Sequence, residues 1–179
     1  MVVGGRTAVR RRAVAERLGV KVACLEVPFG TGLARPELEA ALARFGAPRA
    51  VLLSRPEAED GALTDLAAAA EALRGNRGTP PLLVVDACLG LCVDDLRMDE
   101  WGIDVALSSS QSGVMAPPGL SLIALGPRAL DMLDEPAART ACTGTYLDLR
   151  THILPDGRPH AQLTPSARHV CLWCARARR

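Results

Sequence analysis

Apolar residues recur three and four places apart through RTAVRRRAVAERLG, residues 6–19, where Ala8, Val9, Ala13, Val14 and Leu18 fall within one helical stripe. Gly19 supplies the stop. VKVACLEV, residues 20–27, then reads as a strand. Pro36 opens the next helix, PELEAALARF, which carries Leu38 and Leu42 on one face and ends at Gly46 and Pro48. RAVLLS follows as a short buried strand. TDLAAAAEALR, residues 64–74, is alanine-rich and favours helix, GNRGTP breaks it, and PLLVVDA is a continuous apolar run of strand length. LRMDEWGID is polar and rich in turn residues; beyond it VALSS and LSLIAL are a short strand and a second apolar stretch. Past Pro136 the pattern weakens into the loop-like DGRPHAQLTPSARHV.

Strand and helix alternate, which predicts an α/β fold: a mostly parallel sheet with flanking helices. Right-handed crossovers gather the carboxyl ends of such strands on one side, and ligands bind there. Residues 54–61 and 86–90 are therefore where chemistry is to be sought.

At 179 residues the chain fits one ordinary domain, able to bury roughly two-thirds of its unfolded surface. A hydrophobic content of 49%, a charged content of 23% and a net charge of +1 describe a soluble protein without the field that attracts nucleic acid or anionic lipid. The start, MVVGGRTAVRRR, places its charges after a very short apolar stretch, the reverse of a secretory signal, and no apolar run approaches the ~20 residues that span a bilayer. A cytoplasmic protein with no nucleic-acid or membrane partner is expected. Lysine occurs once, as Lys21.

The six cysteines, with no export signal, read as reduced thiols. Cys88, Cys92, Cys171 and Cys174, with His169, offer zinc-ligating types, yet the first pair adjoins a predicted buried strand and its spacing is not that of a knuckle. No metal is expected. The serines of SSSQS lack a nucleophile elbow, and His152, His160 and His169 all lie in the loop-like tail, so a hydrolytic triad has only composition behind it. Gly4-Gly5 and FGTG lack dinucleotide-binding spacing and read as turns.

Three stretches, LLVVDA, LRMDEWGIDVALSSSQSGVMAPPGLSLIAL and YLDL, together resemble the class V aminotransferases, and within them the alanine–glyoxylate and serine–pyruvate group. The resemblance runs from near Gly4 to about Ala167. It implies part of the large domain of the aspartate-aminotransferase (type I) fold over residues 1–145, with the truncated start of a small carboxyl-terminal domain over 146–179. It further implies a homodimer, or pairing with an intact relative, and pyridoxal 5′-phosphate as cofactor. Amino acids and 2-oxo acids are the implied substrates. Asp86 falls where the family's carboxylate pairs with the pyridinium nitrogen and keeps it protonated as an electron sink. An aspartate at a strand end is also an ordinary turn residue. Gln111 falls where the family contacts the cofactor phosphate, with Ser110 beside it; in a loop both types also bond to nearby backbone.

The departures are as informative. Where the family has lysine after serine-glutamine, this chain reads Ser110-Gln111-Ser112-Gly113. That position needs an amine, which condenses with the cofactor aldehyde and then shuttles a proton. The Ser112 hydroxyl does neither, so catalysis is expected to be impaired, and Lys21 is predicted to lie away from the Asp86 loop. In SRPEAEDGAL, residues 54–63, Ala58, Glu59 and Asp60 stand where the family offers small hydroxyl residues, and both carboxylates are expected to face solvent. The family's upstream phosphate-binding turn and ring-stacking residue are expected to be missing, and the substrate-gripping arginine is not assigned to any residue.

Overall fold

The computed structural model describes residues 1–46, 48–75, 78–135, 148–153 and 169–174. Its centre is a five-stranded sheet in the order β3 (Ala50–Ser54), β4 (Leu82–Asp86), β5 (Val105–Ser109), β6 (Leu120–Leu125) and β7 (His169–Cys174). β3, β4 and β5 run parallel, β6 is antiparallel to β5, and β7 is parallel to β6. A separate two-stranded parallel sheet joins β1 (Val2–Val3) to β2 (Leu25–Glu26).

Strand alternation divides the large sheet into two faces. Val51 and Leu53 of β3, Leu83 and Val85 of β4 and Ala106 of β5 share one face. They pack with Leu38 and Leu42 of α2 (Arg35–Phe45) and with Leu66, Ala69, Ala70 and Leu73 of α3 (Leu66–Arg74). The run LLVVD can be continuously apolar because Leu82, on the other face, packs with Leu125 and with Ala129 of α5 (Pro127–Asp134). The Asp65 carboxylate caps α3 by accepting from the Ala68 N–H at 3.0 Å.

The segment 97–104, polar in sequence, ties the layers together. It forms one short helix, α4 (Met98–Trp101), closed by Gly102 in the left-handed region at φ 68°. Asp104 is buried and accepts from the Leu83 N–H at 2.8 Å and from Arg128 at 3.2 Å. Burial pushes its carboxyl above the ordinary value, against the opposing pull of those two donors.

Several expectations are corrected. The strand predicted over 20–27 forms only at Leu25–Glu26, and α5 and β7 have no counterpart in the sequence pattern. The helix predicted over 6–19 forms as α1 (Arg6–Arg17), but with a different inward face: Val9, Val14 and Leu18 are exposed, while Ala8 is buried and Thr7, Arg11 and Ala15 are half-buried. Most of the segment expected to begin a small domain, 146–179, lies outside the described residues. Among the described residues no helix is long and apolar enough to cross a membrane.

Candidate functional site

Ser54 and Asp86 end neighbouring parallel strands and are register partners, so both side chains leave the carboxyl edge of the sheet on the same face. Arg11 reaches them from α1. Its Nη1 donates to Asp86 Oδ2 at 2.5 Å, its Nη2 to Ser54 Oγ at 2.8 Å and its Nε to the Thr7 carbonyl at 3.3 Å. The other carboxylate oxygen, Oδ1, accepts from the Cys88 N–H at 2.9 Å. The Arg11 and Asp86 side chains keep only 21% and 17% exposure, so the pair is largely withdrawn from solvent. This contact depends on the small residues Thr7, Ala8 and Ala15, which occupy the same helical face as Arg11 at spacings of three and four.

Cys88 sits beside the pair. Burial, followed by the hydrogen bond and charge of Asp86, pushes its thiol up to about 11, while Ser109 and Arg11 pull the other way. At pH 8 its thiolate population is then about a hundredfold below that of a thiol at the ordinary 9.0. Iodoacetamide at that pH is expected to modify the exposed Cys92 at least ~10-fold faster than Cys88, as read by peptide mass spectrometry. Equal rates would show that Asp86 and burial do not suppress the Cys88 thiolate.

The Ser110–Gln111–Ser112 loop follows β5 and lies against the 87–93 loop. An ideal Cβ on Gly113 would stand 2.1 Å from the Leu91 carbonyl oxygen. Ser110 is buried, and its hydroxyl donates to the Pro117 carbonyl at 2.7 Å and accepts from the Leu120 N–H at 3.2 Å, so it holds its own loop. Gln111 is exposed and Ser112 half-buried, with the Ser112 carbonyl accepting from the Met115 N–H at 2.8 Å.

The 54–61 loop is more engaged than the sequence suggests. Glu59 pairs with Arg6 at 2.8 Å, and Asp60 accepts from the Gly30 and Ala62 N–H groups at 2.6 and 2.9 Å. The Arg6 hydrogen bond holds the Glu59 carboxyl below its usual range; backbone donors, Ala62 first, do the same for Asp60. Lys21 lines a cavity of about 680 Å³ together with Ala50, the first residue of β3, and so sits toward the opposite end of that strand from Ser54.

These features are those of a type I aminotransferase sheet, and the comparisons agree. L-aspartate–glyoxylate aminotransferase of Paracoccus denitrificans is 35% identical over 137 residues, covering 75% of this chain and 33% of that protein. Serine–glyoxylate aminotransferase of Hyphomicrobium methylovorum is 36% identical over 119 residues, covering 65% and 29% respectively. The crystal structure of alanine–glyoxylate aminotransferase from Nostoc sp. superposes with a TM-score of 0.76 at 31% identity, covering 84% of this chain and 38% of that one. No family model matches the chain. Over the matched segment its relatives are class V aminotransferases of the serine, alanine and aspartate–glyoxylate kind, with the same fold. It spans about a third of the length of the curated relatives it matches.

Pyridoxal 5′-phosphate is the cofactor that the resemblance to this family implies. The residues present do not fit it. Ser112 carries a hydroxyl and no amine, each Asp86 oxygen already accepts a hydrogen bond, and the Ser110 hydroxyl is committed to its own loop.

Proposed function

We propose that this chain is an aminotransferase-like protein of the class V, alanine/serine–glyoxylate type, descended from enzymes that move an amino group from an amino acid to a 2-oxo acid, and that its own amino transfer is impaired. The observation that carries this reading is Ser112, which follows Ser110-Gln111 where the family has its lysine. A serine hydroxyl forms no imine, and at neutral pH it is too weak a base to take the α-proton of an amino acid. Lys21, the one lysine in the chain, lies toward the opposite end of β3 from Ser54.

The test is chemical trapping. The 179-residue chain is incubated with pyridoxal 5′-phosphate, reduced with borohydride and mapped by mass spectrometry. No stoichiometric adduct at any site is expected. A single saturable adduct on Lys21 or another amine, accompanied by turnover of alanine or serine with glyoxylate, would overturn the reading.

A second reading, in which the chain acts by pairing with a copy of itself, is favoured by the exposed side chains flanking the site. Met115 is 89% and Val93 72% exposed, and Val93 Cγ2 reaches to within 2.7 Å of where a Gly113 Cβ would stand. An apolar patch on the rim of two packed loops suits a partner surface. Light scattering over a hundredfold range of concentration is expected to give a dimer mass under this reading. A monomer throughout would remove it.

A further inference from the structure

Arg11 satisfies Asp86 in the way an incoming ring nitrogen would have to. We infer that the Arg11 guanidinium is the resident counter-ion of Asp86, standing where the family's pyridinium nitrogen would sit, so that the chain excludes the cofactor non-covalently as well as lacking its covalent anchor. This rests on the reading that Asp86 holds the family's cofactor position; it does not rest on Ser112.

The geometry carries the inference. Arg11 uses all three nitrogens, on Asp86, Ser54 and the Thr7 carbonyl, and Asp86 uses both oxygens, on Arg11 and the Cys88 N–H. A ring nitrogen offers one N–H donor and would have to displace a forked cation, leaving Arg11 unpaired in a site that is four-fifths withdrawn from solvent.

The charge around the pair works in the same direction. An ideal Cβ on Gly5, at the start of α1, would lie 3.2 Å from Glu57 Oε1 and 3.1 Å from Glu59 Oε2. Two carboxylates thus cover the amino end of the helix that delivers Arg11, a position that would otherwise attract a phosphate. Glu57 is itself buried.

The experiment uses 4-deoxypyridoxine 5′-phosphate, which keeps the ring nitrogen and phosphate but has no aldehyde, so binding is read apart from imine chemistry. Equilibrium dialysis of the wild-type chain is expected to show no saturation up to about 1 mM. Arg11→Met, which keeps the length and removes the charge, is expected to bind about a hundredfold more tightly than the wild-type limit, whereas Arg11→Lys stays closed. Saturable binding by the wild type, or no gain in Arg11→Met, overturns the inference. If Arg11→Met does not fold, the Arg11 Nε–H resonance of the wild-type chain decides: it stays in place through the titration if the site is closed and moves if the ring nitrogen takes Asp86. A borohydride-trapped pyridoxal 5′-phosphate adduct accompanied by turnover, without any movement of that resonance, would sink the proposed function and leave this inference standing.

Discussion

Replacing Leu83 with alanine is expected to remove about 3–4 kcal/mol of folding stability, a large part of the ~5–15 kcal/mol available to a domain. Leu83 lies in β4, paired on one side with Val51 of β3, and is 1% exposed beneath α3. Its neighbours in the core include Leu53, Val85, Leu66 and Leu73, all buried. β4 is flanked by strands on both sides, so the sheet cannot close over the lost side chain without moving the strand that ends in Asp86. The cavity therefore stays largely open, which places the cost in the upper part of the Leu→Ala range. Urea unfolding followed by far-ultraviolet circular dichroism measures it. With a slope of about 2 kcal/mol per molar, the midpoint is expected to fall by ~1.5–2 M. A shift below ~0.5 M would mean that the layer of α2 and α3 over this face is loose enough to collapse around the gap.

β3, β4 and β5 are legible in the sequence for the reason that makes Leu83 costly. AVLLS, LLVVD and VALSS are short apolar runs bounded by turn residues and form strands where their pattern places them, whereas LSLIAL, read only as an apolar stretch, forms β6. The direction of β6 is not legible, since an apolar run reads the same whether its neighbour is parallel or antiparallel. Nor is the inward face of α1. Val9, Val14 and Leu18 give the more hydrophobic stripe, yet the helix turns Thr7, Ala8, Arg11 and Ala15 to the sheet. A charged hydrogen bond to Asp86, 75 residues away, and close approach through small side chains set that rotation, and no local pattern contains either.

The long family signature separates frame from chemistry. Trp101 lies under the Arg55 guanidinium at 5.6 Å, Gly102 closes α4, Asp104 ties β4 to β5 and α5, and Ser110 holds the loop that carries Pro117. Each is explained by packing or hydrogen bonding in this chain, with no ligand needed. The residues that make the signature recognisable also hold the sheet and its edge loops together. The sequence pointed to the ends of β3 and β4, where the structure brings Ser54 and Asp86 side by side. It did not point to Arg11, which bonds to both.

Gly113→Ala is expected to cost about 2–3 kcal/mol, although the substitution adds a single methyl group. The added Cβ would stand 2.1 Å from the Leu91 carbonyl oxygen and 2.7 Å from Val93 Cγ2. Val93 is exposed and can rotate away, but the Leu91 carbonyl is backbone, so the two loops must part. Glycine is required at this point for space, whereas Gly102 is favoured for its left-handed backbone. Gly75 is the contrasting case. It closes α3 at φ −73°, its Cβ would meet nothing nearer than 3.5 Å, and Gly75→Ala is expected to stabilise by ~0.4–1 kcal/mol through the unfolded chain. Hydrogen exchange separates the Gly113 effect from a general loss of stability: amides of residues 87–93 and 110–116 are expected to speed up together in Gly113→Ala, ahead of those in β4. Acceleration confined to one loop would show that the Gly113 contact does not couple the Asp86 loop to the loop carrying Ser112.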